Sequence, residues 1–251
     1  MKTNNLKYSF YGLTARRKII FDNIINSIVR KQKERFRIID LGCGDGSFLF
    51  YLVKKLKENS FDLSKIEFVG IDRTNKFTEN KNIKDCPTKI NFLTGDVLKI
   101  NNFKLLERKK FDYAVCSEIL EHILETDVLI KNVKSLLTAD GIMYLVVPNL
   151  ASYHARLSLL MGYQPCALEI SDEYASFGRG FFDIFYSGKN PSGLSIHHVR
   201  GFTLKALKEF IRYHGFKIIQ ARGIDHTLSF FWRFLPSLSP VIFLVCEDSS
   251  T

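Results

Sequence analysis

Apolar segments alternate with amphipathic helical segments along the first 150 residues, and this alternation restricts the fold more than any other feature of the chain. The apolar segments are "FRIID" (36–40), "KIEFVGID" (65–72), "KINFLTGDV" (89–97), "FDYAVCS" (111–117) and "IMYLVVPN" (142–149). Strands that are apolar on both faces are typical of a parallel sheet covered by helices on both sides. The pattern therefore predicts an α/β fold.

The alternation stops after residue 149 and resumes near residue 201. The intervening segment is rich in Tyr, Phe, Gly and Ser and has no clear period, whereas "FTLKALKEFIRYHG" predicts a helix capped by Thr203 and ended by Gly215. Irregular segments at the carboxyl edge of an open α/β sheet are where such folds bind ligands. We expect one domain overall, with a helical segment at 1–35, a ligand-binding core at 36–149, an inserted substrate cap at 150–200 and completion of the sheet at 201–251.

The charge balance restricts the partners. The chain has 36 Lys and Arg against 26 Asp and Glu, for a formal net charge of +10. This excess favours a Lys-rich solvated surface, and attraction to an anionic partner such as RNA or a phospholipid surface is the alternative. Nucleic acid is not the favoured partner, because no segment interleaves basic and aromatic residues like a nucleic-acid module.

Cysteine usage and hydropathy indicate the compartment. The five cysteines are odd in number and never in CxxC spacing, which predicts free thiols in a reducing cytoplasm. The N-terminus "MKTNNLKYSFYG" lacks an apolar signal core, and a charged residue and two prolines interrupt the apolar stretch at 227–246. We therefore expect a cytoplasmic protein without a transmembrane segment, with peripheral membrane contact as a minor alternative.

Three glycines follow the first predicted strand in "IIDLGCGDGSF" (38–48). Gly42, Gly44 and Gly46 would let the backbone turn sharply and approach a ligand closely, with the N-terminus of the next helix presenting N–H groups. Their spacing is G-x-G-x-G, whereas the dinucleotide fingerprint requires G-x-G-x-x-G. The glycines alone leave the ligand open.

Acidic residues at the ends of three predicted strands identify the ligand. Asp72 ends the second strand, where a carboxylate can accept both ribose hydroxyls, and Asp96 follows the third, where it can accept from an adenine amino group. Asp40 begins the glycine turn and can hold the turn or the cationic amine of an amino-acid ligand. An amino-acid head, a ribose and an adenine without phosphate together describe S-adenosylmethionine.

The motifs "DLGCGDG", "GID", "TGDV", "FDYAVCSEILEH" and "LLTADGIMYLVVPN" resemble, in order and spacing, those of class I S-adenosylmethionine-dependent methyltransferases. The resemblance covers 36–149, and "HHVRGFTLKALKEFIRYHGFKII" is similar to a segment of many small-molecule and glycan methyltransferases of this class. It implies a Rossmann-like, seven-stranded, mostly parallel sheet with an antiparallel last strand, and an enzyme that releases S-adenosylhomocysteine. The expected cofactor-binding residues are Asp40, Gly42, Cys43, Gly44, Gly46, Asp72, Arg73, Asp96, Val97, Ser117 and Glu118.

The segment "SEILEHI" (117–123) follows the fourth strand. On a helix, Glu118, Glu121 and His122 would project from one face. The pattern E-x-x-E-H resembles that of quinone-biosynthesis O-methyltransferases and small-RNA 2′-O-methyltransferases, where two Glu and two His hold a divalent metal. That resemblance implies Mg²⁺, Mn²⁺ or Zn²⁺ at Glu118, Glu121 and His122, with His197 or His198 as fourth ligand.

Other members of the class carry a similar segment without a metal. His122 would then act as a general base or orient the acceptor, or have a structural role only. The expected catalytic residues are Glu121, His122 and His198.

These expectations combine into one predicted activity, the O-methylation of a small-molecule, sugar or lipid-linked acceptor held under the cap. Two alternatives stay open at this stage. One is a metal-dependent RNA 2′-O-methyltransferase, and the other is a non-catalytic protein that binds S-adenosylmethionine.

Overall fold

The computed structural model describes residues 13–31, 33–183, 195–224, 232 and 234–249, and of residues 13–16 only the backbone. The expected helical segment at 1–35 is therefore described from residue 13 onward, without residue 32. The expected cap at 150–200 is described apart from residues 184–194. The other parts of these two predictions lie outside the described residues.

One mixed sheet forms the centre of the molecule. Its strands are β1 (Phe36–Leu41), β2 (Ile66–Asp72), β3 (Ile90–Thr94), β4 (Phe111–Ser117), β5 (Leu137–Pro148), β6 (Phe216–Ile224) and β7 (Val241–Asp248). In the described part of the chain the sheet has seven strands in the order β3-β2-β1-β4-β5-β7-β6. Strands β1 to β5 are parallel, and β7 runs antiparallel to both β5 and β6. The predicted fold class, a mostly parallel sheet with an antiparallel last strand, is confirmed.

Helices cover both faces of this sheet. They are α1 (Leu13–Lys31), α2 (Ser47–Glu58), α3 (Lys81–Lys84), α4 (Thr126–Leu136), α5 (Tyr153–Leu160) and α6 (Leu204–Tyr213). The hydroxyl of Thr203 accepts the N–H of Ala206 at 3.2 Å and caps α6. Gly215 follows this helix with a φ of +74°. The predicted start and end signals of this helix are confirmed.

The core lies in two layers, one on each side of the sheet. Neighbouring residues of β1 face opposite layers, because side chains alternate along a strand. Ile38 packs in the layer of α1 and α2, and Ile39 packs in the layer of α4 and α6; both are fully buried. Burial of each such side chain contributes about 1.5–3 kcal/mol to stability. Apolar residues on both faces of the strands are what the sequence pattern predicts.

The strand order reverses between β1 and β4, which run parallel and pair directly. After β1 the chain continues to β2 on one side of it, and after β3 it returns to β4 on the other side of β1. The carboxyl ends of these two strands therefore border a crevice, which is the ligand-binding position in open α/β sheets.

The cap leaves and rejoins the core at adjacent positions beyond the end of β5. Asn149 forms a parallel bridge with Phe202, and the N–H of Leu150 donates to the carbonyl of Phe202 at 2.9 Å. The buried side-chain amide of Asn149 also donates to the carbonyls of Ser237 (3.0 Å) and Ser239 (2.8 Å). Both ends of the cap are thus attached at one place on the sheet.

Two sequence predictions outside the site can also be checked. All five cysteines lie within the described residues and are free thiols, as predicted. Among the helices that the structure describes, none has the length and apolar composition needed to cross a membrane.

Candidate functional site

The glycine turn joins β1 to α2 and is attached to β2. The backbone N–H groups of Gly42 and Cys43 both donate to the carbonyl of Ile71, at 2.8 and 2.9 Å. Gly42 has a φ of +80°, and a Cβ atom built on it would lie 2.7 Å from Cδ1 of Ile119. Only glycine fits this conformation and this space. The contact also shows that the segment after β4 packs against the turn after β1.

The other two glycines of the motif also have positive φ angles. Gly44 has a φ of +55° and Gly46 one of +74°. Gly46 directly precedes α2, and a Cβ atom there would lie 2.6 Å from the ring of Phe92 on β3. At Gly42 and Gly46, a Cβ atom would therefore clash with a neighbouring side chain.

Asp72 holds the glycine turn from the end of β2. One carboxylate oxygen accepts the N–H of Gly44 at 2.8 Å, and the other accepts the N–H and the hydroxyl of Thr74, each at 2.8 Å. The next residue, Arg73, is exposed. The predicted ribose-binding carboxylate thus has a defined orientation at the crevice.

Asp40 is a buried carboxyl group beneath the turn, with only 3% of its surface exposed. Burial raises its pKa to about 7, the guanidinium of Arg17 opposes the rise, and the carboxylate of Asp72 adds to it. An acid with this pKa ionises near neutral pH, and a cationic ligand beside it would stabilise the ionised form.

Arg17 is a residue of this site that the sequence analysis missed. It lies on α1 with its guanidinium carbon 5.6 Å from the ring centroid of Tyr51. Burial lowers the pKa of Arg17, and the negative charges of Asp45 and Asp40 oppose that shift. A signal was present, because Arg17 precedes Ile20 by three residues and therefore shares the apolar face of its helix.

Asp96 lies in the loop after β3, where its carboxylate accepts the N–H of Leu98 at 2.9 Å. Val97 is buried. The side-chain amide of Asn132 on α4 donates to the carbonyls of Val97 (2.9 Å) and Leu98 (3.0 Å). Asn132 therefore positions the loop, a contact that the helical pattern of α4 does not reveal.

The segment after β4 differs from the expected helix. Ser117 ends the strand, and Glu118 has a left-handed φ of +57° because its N–H donates to the carbonyl of Val146 on β5, at 2.9 Å. A short 3₁₀ turn then covers Leu120–His122. The expectation that Glu118, Glu121 and His122 share one face of a helix is wrong, because the pairing with β5 turns the backbone first.

Glu121, His122 and His198 come together beyond the end of β4. Their ligand-type atoms, a carboxylate oxygen and two ring nitrogens, all lie within 4.8 Å of one another. Glu121 is 1% and His198 9% exposed, whereas His122 is exposed to solvent. Within the described residues this group does not include Glu118, and of the two alternatives for the fourth ligand it includes His198 and not His197.

The two imidazoles lie side by side, with ring centroids 4.9 Å apart. Nδ1 of His122 lies 3.1 Å from the carbonyl oxygen of His197. A carbonyl can only accept a hydrogen bond, so a neutral His122 that donates to it carries its proton on Nδ1 and its lone pair on Nε2. In that tautomer the free nitrogen of His122 is Nε2.

The segment that carries His198 is attached to the turn after β4 through backbone contacts. The carbonyl of Glu121 accepts the N–H groups of Val199 (2.9 Å) and Arg200 (3.0 Å). The guanidinium of Arg200 donates to the carbonyl of Leu124 at 2.7 Å. His197 itself is exposed and has a φ of +60°.

A cavity of about 380 Å³, in the size range of small-molecule pockets, lies within the cap. Its lining includes Leu168, Glu169 and Ser171 from the first part of the cap and His197 and His198 from its end. A larger groove of about 1100 Å³ runs along α1 and α2 on the outer side of the glycine turn, and its lining includes none of the three clustered residues.

The donor set of the cluster fits a divalent cation. One carboxylate and two imidazoles are the protein ligands of many zinc sites that keep a position open for substrate. Hard carboxylate ligands also suit Mg²⁺ and Mn²⁺. The same three groups can equally work as a base and its neighbours without an ion.

Comparison with curated proteins finds two partial relatives. The chain is 30% identical over 161 residues to probable polyketide synthase 10 of Dictyostelium discoideum, covering 58% of this chain and 6% of that protein. It is 31% identical over 136 residues to the ubiquinone biosynthesis O-methyltransferase of Pelagibacter ubique, covering 53% of this chain and 52% of that protein. The chain thus spans about half, or much less, of the length of these relatives.

Among solved structures, the chain is similar to the plantazolicin methyltransferase BamL in complex with a triazolic desmethylPZN analog and SAH. The TM-score is 0.61 with 16% identity, over 95% of this chain and 86% of that one. This likeness extends the shared fold across nearly the whole chain. The family described as "Methyltransferase domain" matches residues 32–174, which contain the glycine turn, Asp72, Asp96 and the "SEILEH" segment. Because this match covers more than half of the sequence, the chain belongs to the methyltransferase-domain family.

Proposed function

We propose that this protein is an S-adenosylmethionine-dependent methyltransferase that methylates a hydroxyl oxygen of a small-molecule, sugar or lipid-linked acceptor. One observation carries the proposal. The cluster of Glu121, His122 and His198 lies just beyond β4, and the glycine turn lies just beyond β1, its parallel neighbour in the sheet. A donor at the turn would face an acceptor at the cluster.

Several residues of the crevice are suited to hold the cofactor. When bound, S-adenosylmethionine supplies a methyl group activated by its sulfonium. Asp72 would accept the ribose hydroxyls, Asp96 would accept from the adenine amino group, and Asp40 would attract the cationic amine. The SAH named for the similar BamL structure supports this cofactor.

The histidine cluster is suited to remove the acceptor proton. Nε2 of His122 is the free base in the tautomer described above, and a carboxylate oxygen of Glu121 lies within 4.8 Å of one ring nitrogen of each histidine. General-base catalysis of this kind contributes about 10²–10⁴-fold to rate, and alignment of two reactants can lower the barrier by roughly 7–11 kcal/mol.

A metal-assisted version of the same function is the second candidate, and the donor set of Glu121, His122 and His198 favours it. A divalent cation held there would lower the pKa of the acceptor hydroxyl. This version would also serve the RNA alternative, in which the acceptor is a 2′-hydroxyl. The cytoplasmic location and peripheral membrane contact stay predictions.

Two measurements on the full chain test the proposal. Calorimetry with S-adenosylhomocysteine should detect binding, and transfer of labelled methyl from S-adenosylmethionine should be scored against phenols, a polyprenylated phenol, sugars, nitrogen heterocycles and a short RNA. The expected result is labelled methyl on a hydroxyl of a small acceptor. Absence of cofactor binding would overturn the whole proposal.

The other outcomes separate the alternatives. Methylation of carbon or nitrogen acceptors alone would overturn the O-methyltransferase assignment. Preference for RNA, with an affinity that falls steeply as salt rises, would favour the RNA alternative. Cofactor binding without transfer to any fraction of a cell extract would favour the non-catalytic alternative.

A further inference from the structure

The carboxylate of Glu169, a residue of the cap, receives hydrogen bonds from four consecutive residues near the end of the cap. The hydroxyl of Ser195 donates to it at 2.6 Å. The backbone N–H groups of Ile196 (3.0 Å), His197 (2.8 Å) and His198 (3.4 Å) also donate to it. Successive N–H groups that converge in this way form an anion-binding nest.

The conformation of His197 is part of this arrangement. Its φ of +60° is left-handed, which is uncommon for a residue with a side chain. Alternation of right-handed and left-handed residues is what turns neighbouring N–H groups toward one point. The carboxylate of Glu169 occupies that point, so the strained residue and the anion support each other.

Glu169 is a charged group inside the cap. Its side chain is 2% exposed, and the guanidinium of buried Arg179 lies 3.6 Å from its other oxygen. Burial would raise the pKa of Glu169, but the hydrogen bonds from Ser195 and Ile196 and the charge of His198 outweigh it, so the pKa lies below its ordinary value. A buried carboxylate held so firmly is costly to replace.

The same short segment is attached on its other side to the turn after β4. As described above, the carbonyl of Glu121 accepts the N–H groups of Val199 and Arg200, and the imidazole of His198 lies beside that of His122. Residues 195–200 belong to no helix or strand. Two anchors therefore define where His198 lies, Glu169 on the cap side and Glu121 on the sheet side.

We propose that Glu169 is a positioning residue, whose buried carboxylate gathers the N–H groups of residues 196–198 and thereby places the imidazole of His198 against Glu121 and His122. This inference extends the proposed function and rests on it in one respect, namely that the three clustered residues take part in catalysis. It links the conformation of the cap to the reacting groups through the backbone of residues 195–200.

The test is a comparison of three single variants of the full chain labelled with ¹⁵N-histidine. Glu169→Gln keeps the size of the side chain but removes the charge and turns an NH₂ group toward donors. Ser195→Ala removes the hydroxyl that donates to Glu169 and accepts the N–H of His197 at 3.1 Å, and it replaces the first variant if Glu169→Gln folds poorly. Glu173→Gln is the matched control, because Glu173 lies in the same cap with an exposed side chain and contacts Ser195 through its backbone carbonyl.

The readouts are the imidazole ¹⁵N resonances and the affinity for S-adenosylhomocysteine. We expect Glu169→Gln to shift the resonances of His198 and His122 well beyond the shifts in Glu173→Gln, and Ser195→Ala to shift them in the same direction but less. Resonances of His154 and His214 should stay in place, and cofactor affinity should be unchanged.

Two results would overturn the inference. One is that the resonances of His198 and His122 move no more in Glu169→Gln and Ser195→Ala than in the control. The other is that all imidazoles shift and cofactor affinity falls together, which would indicate a general structural role. Failure of the wild-type chain to bind S-adenosylhomocysteine would instead count against the proposed function, and the histidine shifts would still report on Glu169.

Discussion

The backbone N–H of Gly44 donates a hydrogen bond of 2.8 Å to the carboxylate of Asp72. The glycine turn after β1 and the acidic end of β2 are therefore one connected unit before any ligand arrives. Asp72 has two tasks in the proposed site, holding the turn and offering oxygens to a ribose. Because this hydrogen bond already fixes the turn and the carboxylate, less conformational entropy is lost when a ligand binds.

Asp72→Ala should weaken binding of S-adenosylhomocysteine, because it removes both the ribose acceptor and the partner of Gly44. Hydrogen bonds to charged groups contribute about 1.5–3 kcal/mol each, so the expected loss is at least roughly tenfold. Calorimetry measures it. Thr74→Ala is the control, since it removes one donor to the same carboxylate. Equal affinity of Asp72→Ala and wild type would refute the cofactor assignment.

Gly42→Ala should destabilise the protein for two separable reasons. The left-handed φ costs roughly 1–2 kcal/mol for a residue with a Cβ, and the new methyl group would press on Ile119 at 2.7 Å. Gly44→Ala is the matched control, because it has a positive φ but nothing within 4 Å of a Cβ.

The contact part of this cost can be measured by a double-mutant cycle. Ile119→Ala should restore part of the unfolding free energy lost in Gly42→Ala and none of that lost in Gly44→Ala. Strictly additive losses for Gly42 and Ile119 would show that the two turns do not touch.

Asp40 should make stability depend on pH in a predictable direction. Its folded pKa, about 7, lies above the ordinary value of 3.8, so the folded state binds the proton more tightly than the unfolded state. The stabilisation from the neutral acid is complete below about pH 4 and is lost as pH rises through 7. The unfolding free energy of wild type minus that of Asp40→Asn should therefore be larger at pH 5 than at pH 8. Denaturant titrations at the two pH values measure it, and a difference that is flat or rises with pH would contradict the assignment.

His198→Ala should reduce methyl transfer more than His197→Ala does, because only His198 is among the three clustered residues. If His198 assists proton removal, the expected loss in kcat is about 10²–10⁴-fold. Affinity for S-adenosylhomocysteine should change little in either variant. A larger effect of His197→Ala would instead favour His197, the other alternative that the sequence left open for this position.

Chelation separates the two versions of the mechanism. If a cation assists, activity should fall after treatment with a chelator and return with Mg²⁺, Mn²⁺ or Zn²⁺, and His122→Ala should weaken metal binding as well as turnover. Activity that is indifferent to chelation would exclude the metal-assisted version and leave His122 as the base.

Sequence reasoning was most successful where local pattern decides the structure. Strand β4 has the predicted boundaries, and Thr203 caps its helix as predicted, because apolar runs and capping residues act over a few positions. The glycine turn belongs to the same class, since its chemistry is local.

The sequence predictions were wrong or incomplete where contacts between residues far apart in the sequence determine the local structure. Glu118 leaves the expected helix because its N–H pairs with Val146, 28 positions away. Arg17 approaches Asp40 only after α1 packs on the sheet. The nest around Glu169 joins two parts of the cap through backbone groups, which no residue pattern records.

The junction at Asn149 has an implication for how this fold can diversify. Because Leu150 and Phe202 are hydrogen-bonded neighbours, the segment between them begins and ends at one point, and the sheet does not depend on its length. The entropy of closing such a loop rises slowly with the number of residues. Under the proposed function, a change in the stretch from 150 to 201 would alter the acceptor side, His198 included, while the glycine turn and Asp72 stay with the sheet.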